Sequence, residues 1–392
     1  MSNQLRAIEE LKNLSSIKIQ SWRGREAHAD GRRYVDYANT NYLGFDFDPA
    51  LHAAGSAEFD RWGAISGWSR LEIDPEVYSH LEVRISNFIG CSQVQLSHTI
   101  TVTAFSLVPA IAQKGLIVTD RQVHRVIWES CRLARDHGAK LLRFQHQDIG
   151  DLERILDEHQ DIHPKLVAVD GVYSISAKIA PILELQKLAR RYNAWLLVDD
   201  AHGFGILGEN PTIANPYGVS GNGVIRYHGG DFSRTFYLSS FGKAFCTYSA
   251  FITIPEEFRE EVNTLSLQYI FSAPPNPYMV GTVQAALDLN DKYGEIQRAK
   301  LRGLVKTFTD GLSAIGCTFL VEALQPIVYV QVGNLQRLIE VATKLWASGI
   351  IAGLRAYPLV PPEHCGLRFA ITALHTTEQI QEALYGLEKA LE

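Results

Sequence analysis

Apolar positions along this chain follow two periods in turn. Between residues 116 and 240, short runs rich in Leu, Val, Ile and Phe read as strands: LIVT at 116–119, KLLRF at 140–144, KLVAVD at 165–170, WLLVDD at 195–200 and TFYLSS at 235–240. Longer stretches with apolar residues three and four apart separate them and predict helices over 122–137, 150–159 and 181–193. Strands alternating with helices imply βαβ units, hence an α/β fold with a mostly parallel sheet and helices on both faces. Nearer the N-terminus, Leu5, Ile8, Leu11 and Leu14 recur at helical spacing and predict an amphipathic arm over 3–16, followed by a hairpin-like YVDYANTNYLG. From about residue 275 the order changes. Helices at 276–293 and 296–315, a strand at 326–332, a helix at 335–348, a strand at 366–372 and a helix at 377–390 predict a smaller α+β lobe. The expected division is an arm and hairpin (1–45), a large α/β domain (46–275) and a small C-terminal domain (276–392).

Composition narrows the function classes. The chain has 392 residues, 46% hydrophobic and 20% charged, enough for a large core. Its net charge of −6 is dispersed, which offers no electrostatic footprint for nucleic acid or anionic lipid. Cys91, Cys131, Cys246, Cys317 and Cys365 are scattered without a CxxC pair, so neither a disulfide framework nor a metal site is expected, and a reducing cytoplasm fits. Charges interrupt MSNQLRAIEELKNLSSIKIQ, which excludes a signal peptide, and no apolar run is long enough to span a bilayer.

In a parallel sheet, ligands bind beyond the carboxyl ends of the strands, so the polar residues there carry the argument. LLVDDAHGFGILG at 196–208 ends an apolar run in Asp199, Asp200 and His202, followed by a GxGxxG-like spacing in Gly203, Gly205 and Gly208. A dinucleotide site needs those glycines to open a helix; here ENPTIANPYG follows, with two prolines and no helical pattern. Gly242-Lys243 likewise lacks the upstream glycine and the Ser/Thr of a P-loop. A carboxylate at a strand tip is costly to bury without a cation, and the ordinary outcome for Asp199 is a salt bridge or a cap. Its company changes that weighing. SSFGKAF sets Lys243 among apolar and small residues, where desolvation makes an amine nucleophilic, and VTDRQVHRVIW places His124 past another strand tip. Pyridoxal phosphate needs that set: an amine for its aldehyde, an anion for its ring nitrogen and a flat surface for its ring. His98, His137, His146 and His375 read as structural, Trp128 and Trp195 as core, and Asp200 as structural or solvated, since two anions beside one ring nitrogen repel.

At these residues the chain resembles the α-oxoamine synthases of fold-type I pyridoxal-phosphate transferases, over about residues 34 to 390. NYLG at 41–44, SGWSR at 66–70 with HLE at 80–82, Asp120 to His124, DGVYS at 170–174, DDAH at 199–202, SFGKA at 240–244 and VPPEHCGLRFAITALHT at 360–376 carry the likeness in order. The resemblance implies a mostly parallel seven-stranded sheet with a smaller α+β domain. It also implies Lys243 as Schiff-base lysine, Asp199 on the pyridine nitrogen, His202 and Ser174 near the phenolic oxygen, and His124 stacked on the ring. Ser240 would bind the phosphate, Asn41 would contact substrate, and Arg368 would meet the substrate carboxylate, for which a guanidinium fork is suited. Three segments depart from the family. LSHTITVTAF at 96–105 puts Ile100 and Thr101 where a glycine-containing phosphate cradle is usual; YIFSAPPNP at 269–277 keeps only Ser272 of a Ser/Thr cluster reaching the neighbouring subunit's cofactor; and EIDPEVY follows Arg70 in place of a small loop.

The implied reaction is acylation of an amino acid at Cα by an acyl thioester, carried on CoA or an acyl carrier protein, with decarboxylation to an α-amino ketone. Retained catalytic residues beside altered substrate-side loops point to an unusual acyl donor or amino acid. A homodimer with shared sites is the family's assembly. An aminotransferase or aldolase on the same fold, and a non-catalytic partner subunit, are the alternatives, since fold alone does not choose among chemistries.

Overall fold

The computed structural model describes residues 17–65, 67–258, 267–357 and 359–392. The amphipathic arm expected over 3–16 lies outside the described residues. Strands β1 (Ser21–Arg23), β2 (Glu26–Ala29) and β3 (Arg32–Tyr37) form an antiparallel meander. The hairpin expected in YVDYANTNYLG is therefore displaced upstream. YVDY completes β3, and the next residues form a loop pinned by Asp36, which accepts the Ala38 and Asn39 N–H groups, and by Asn39, which accepts that of Asn41.

One compact unit comprises Asp48–Tyr173 and Ile179–Gly294. It opens with α1 (Pro49–Trp62), capped by Asp48, and α2 (Glu76–Ile89), which ends at the left-handed Gly90. Then follow β4 (Val94–Ser97), α3 (Ile100–Ala112), β5 (Leu116–Asp120), α4 (Arg125–Asp136), β6 (Lys140–Phe144) and α5 (Ile149–Glu158). β7 (Lys165–Asp170), α6 (Ile182–Arg191), β8 (Ala194–Asp199), α7 (Val224–Tyr227), β9 (Thr235–Ser240), β10 (Ala250–Thr253) and α8 (Leu267–Phe271) complete it. The sheet order is β4-β10-β9-β8-β7-β5-β6; β5 to β9 run parallel, and β10 is antiparallel to both of its neighbours, β9 and β4. Covered on both faces, β7 and β8 read as unbroken apolar runs. Ile117, Leu166, Leu197, Phe236 and Ile252 form the core with Leu107 and Ile111 of α3 and Ile127 of α4. Trp128 and Trp195 pack against it, each covered by an arginine, Arg143 and Arg234, at 4.6 and 4.5 Å.

The long helix α9 (Pro277–Ala314) passes through Gly294, where a break is expected from the sequence. An interior glycine costs ~1 kcal/mol, and burial of Val283, Leu301, Val305 and Phe308 outweighs it. The boundary between the compact units falls at this glycine.

The other unit comprises the chain up to Phe47, Ser174–Lys178, and Glu295 onward. It adds β11 (Phe319–Leu320), β12 (Ile327–Gly333), α10 (Leu335–Ala347), β13 (Ile350–Arg355), β14 (Cys365–Ala370) and α11 (Thr377–Leu391). Its sheet order is β1-β2-β3-β13-β14-β12-β11, with β13 parallel to β3. The N-terminal meander and the C-terminal strands thus share one sheet, a pairing distant in sequence and invisible to local periodicity. Among the described residues, no helix is long and apolar enough to cross a membrane, the five cysteines form no disulfide, and no side-chain cluster suits a metal ion.

Candidate active site

Asp199 closes β8 and is buried, its Oδ1 accepting the Ala201 N–H at 3.2 Å. The strand cannot continue because the chain turns sharply over residues 201–206. The glycines of the GxGxxG-like spacing serve that turn. Gly205 has φ of 86°, and a Cβ there would lie 2.4 Å from the Ala244 Cβ; at Gly208 it would lie 1.9 Å from the Val219 carbonyl oxygen. No helix follows, so no dinucleotide site forms. Asp200 is structural: its carboxylate accepts from the Tyr237 hydroxyl (2.7 Å) and the N–H groups of Val224 (2.8 Å) and Gly203 (3.1 Å). Burial pushes its carboxyl up to about 7, against those hydrogen bonds. His202 is buried in the same turn.

Lys243 lies in the connection between β9 and β10, half-buried. The connection is tied down at both ends: Phe241 N–H donates to the Ser249 carbonyl (2.9 Å), Thr247 N–H to that of Phe241 (3.1 Å), and Cys246 N–H to that of Lys243 (3.1 Å). Ser240 Oγ accepts the Gly242 N–H (2.9 Å) and donates to the Ser249 carbonyl (3.1 Å), so its hydroxyl also braces this turn. Phe204 packs on Phe241 and Phe245, with ring centroids 5.4 and 4.9 Å apart. That aromatic contact, with Gly205 against Ala244, brings the turn after Asp199 beside the turn that carries Lys243.

His124 caps α4: its Nδ1 accepts the Val126 N–H at 3.3 Å, and its side chain is exposed. The helix starts later than periodicity predicts because Asp120 draws the Gln122 N–H into a turn (2.7 Å). Ile100 and Thr101 are the first two residues of α3; Thr99 caps the helix by accepting the Val102 N–H (3.2 Å), and the Thr101 side chain is exposed. Ser272 follows α8, half-buried, its hydroxyl bonded to the Ala273 carbonyl (3.2 Å). Two of the histidines read as structural are engaged in that way: His146 pairs with Asp120 at 3.0 Å, and buried His375 stacks on Tyr37 at 4.3 Å.

The remaining expected residues lie in the other unit. Arg368, on β14, donates to the Ser174 carbonyl at 3.3 Å, so it is the backbone of Ser174 that is engaged. Asn41 presents its carbonyl to Gly44 N–H (3.1 Å) and Arg25 Nη2 (2.9 Å). The structure adds Arg355 at the end of β13, which pairs with β14 around Arg368. Burial, then the like charge of Arg368, depresses Arg355 to about 10, and burial lowers Arg368 as well. Arg368 Nε is buried with no hydrogen-bond partner among the described residues. Two desolvated guanidinium groups with an orphaned donor call for an anion such as a carboxylate. Arg355 was missable in the sequence because GIIAGLRAY reads as one irregular apolar stretch; its only signal is a cation inside that run.

Pyridoxal phosphate fits these residues. Among the described residues, buried Asp199 makes no ion pair, an unfavourable state for a carboxylate unless a bound cation such as a protonated ring nitrogen faces it. The N-terminus of α3, with an exposed threonine hydroxyl, suits a phosphate.

Comparison with known proteins agrees. The family model described as aminotransferase class I and II matches residues 60–387. The 8-amino-7-oxononanoate synthase of Geobacter metallireducens is 30% identical over 371 residues, 94% of this chain and 91% of that protein. A serine palmitoyltransferase from S. paucimobilis, solved with a bound PLP–myriocin aldimine, superposes with a TM-score of 0.86 at 26% identity, covering 99% of this chain and 96% of that one. The Sphingomonas wittichii serine palmitoyltransferase gives 0.85 at 25% identity, with coverage of 99% and 96%. Fold and site together define a fold-type I pyridoxal-phosphate transferase. Within that class the chain belongs to the aminotransferase class I and II family and, inside it, to the α-oxoamine synthases. It is a pyridoxal-phosphate-dependent C-acyltransferase that condenses an amino acid with an acyl thioester to an aminoketone.

Proposed function

We propose that Lys243 holds the cofactor and moves the Cα proton of the amino acid, with Asp199 facing the ring nitrogen, His202 the phenolic oxygen, and His124 the ring face. The reading is carried by one observation: a buried carboxylate that makes no ion pair among the described residues, at the head of a turn packed beside the turn that holds Lys243. When bound, pyridoxal phosphate supplies an aldehyde for the substrate amine and a protonated ring that accepts the electron pair released at Cα. Ile100, Thr101 and Ser240 hold its phosphate, using the α3 N-terminus and hydroxyl groups. Arg368, with Arg355 beside it, receives the amino acid carboxylate in a bidentate grip, and Asn41 and Ser174 complete that side. Lys243 in its free-base form takes the Cα proton, a role worth typically ~10²–10⁴ in rate. In the net reaction a bond forms between Cα and the acyl carbonyl carbon, the carbon–sulfur bond breaks and the thiol departs with a proton. The carboxylate then leaves as carbon dioxide, and a proton taken up from solvent replaces it at Cα. CoA or an acyl carrier protein is the acyl carrier.

A homodimer fits this reading, with Ser272 reaching a second copy's cofactor. Trp68, Leu71, Ile73, Leu267 and Phe271 are exposed apolar residues of the larger unit that such an assembly would cover. We place the enzyme in the cytoplasm, consistent with five cysteines that form no disulfide. The test presents cofactor-loaded protein with each amino acid and a series of acyl-CoA thioesters while following free thiol. Thiol release dependent on both substrates supports the assignment. Keto-acid formation or Cα–Cβ cleavage without thiol release would favour an aminotransferase or aldolase and overturn it.

A further inference from the structure

Asp170 lies outside every role assigned above, yet it sits at the tip of β7, in register with Asp199 on parallel β8. Register partners on parallel strands point to the same face, so these side chains are neighbours at the carboxyl edge of the sheet. Asp170 is buried, and its Oδ1 accepts the backbone N–H of His124 at 2.9 Å. His124 is thereby held twice: its main chain by Asp170 and its ring by the Val126 N–H on Nδ1. We propose that Asp170 is a positioning residue, which fixes the backbone of His124 and so sets the plane of the imidazole that faces the cofactor ring. This inference rests on the reading of His124 as the ring-facing residue. Burial, then the neighbouring Asp199, pushes the Asp170 carboxyl well above the ordinary carboxylate range. What His124 needs from position 170 is an acceptor oxygen, which an asparagine amide also offers, and a second charge beside Asp199 is not required.

The test compares Asp170→Asn, Asp170→Ala, His124→Ala and the double variant His124→Ala/Asp170→Ala, each checked for folding by thermal melting. The readouts are the dissociation constant for pyridoxal phosphate and the circular dichroism of the bound cofactor's visible band. Asp170→Ala should weaken cofactor binding about tenfold or more and reduce the dichroic band, while Asp170→Asn stays within about threefold of the parent with its band intact. In the His124→Ala background, Asp170→Ala should add less than about twofold. An asparagine variant that behaves like the alanine one, or an alanine effect undiminished without the imidazole, overturns the inference while leaving the role of His124 standing. If His124→Ala alone alters neither readout, the role of His124 fails first and this inference with it.

Discussion

In the proposed site the amine of Lys243 would meet the cofactor's aldehyde and the carboxylate of Asp199 its ring nitrogen, and the first of these roles has a direct chemical signature. Lys243→Ala lowers thiol release by at least ~10², the lower end of general-base effects. After borohydride treatment, mass spectrometry of the parent should find a pyridoxyl group on the peptide carrying Lys243, and on no peptide of the variant. A label on another side chain in the parent contradicts the assignment. Arg368→Ala removes charge-assisted hydrogen bonds worth ~1.5–3 kcal/mol, so KM for the amino acid rises roughly 10–100-fold with a smaller change in kcat. Arg355→Ala moves KM in the same direction by less. A fall in kcat at constant KM for Arg368→Ala would place that arginine away from the ground-state carboxylate.

At the scale of elements, catalytic geometry is set by connections rather than by strands. The turn after β8 and the turn after β9 meet where Gly205 touches Ala244 and Phe204 meets Phe241 and Phe245. Gly205→Ala introduces a Cβ at 2.4 Å from the Ala244 Cβ on a residue with φ of 86°, a conformation that costs a non-glycine residue ~1 kcal/mol or more before the clash is relieved. The variant should lose ~2 kcal/mol or more of stability in urea titration and bind pyridoxal phosphate more weakly, because the Lys243 turn must shift. Full retention of both would mean the two turns are not coupled. Capping gives a smaller, independent check. Thr376 and Gln379 exchange both hydrogen bonds of a capping box at the start of α11. Thr376→Ala costs ~1 kcal/mol and leaves cofactor affinity unchanged, the two being read by denaturation and by spectral titration.

For the whole molecule, acid response is the property most directly tied to a single buried group. His375 is depressed to about 3 by burial first and by Arg25 second, and its ring nitrogens are committed to Thr372 and to the Asp36 carbonyl. Its folded value lies below the unfolded one of 6.5, so the neutral ring is the form the fold favours. The stability this provides is complete above pH 6.5 and is lost as pH falls toward 3, at up to about 1.4 kcal/mol per pH unit for one proton. His375→Gln should lower stability at pH 7 and flatten the loss between pH 6 and pH 4, measured by urea unfolding at several pH values. An acid limb as steep as the parent's would assign the response to other groups.

Much of this protein was legible in the sequence. Continuous apolar runs at 165–170 and 195–200 could only be strands buried on both faces, and the polar residues ending them had to gather at one edge of a parallel sheet. The motifs around Lys243, Asp199 and His124 point to a cofactor from sequence alone, because few ligands require an amine, an anion and a flat surface together. Contacts between residues distant in sequence decided the rest. The pairing of β3 with β13 joins segments more than 300 residues apart, and no local period announces it. Arg355 gains meaning only when β13 lies against β14 and sets it near Arg368, and Asp170 only when β7 and the start of α4 meet. Periodicity reports which face of an element is buried, whereas register and the closure of turns determine which polar groups, buried together, must satisfy one another.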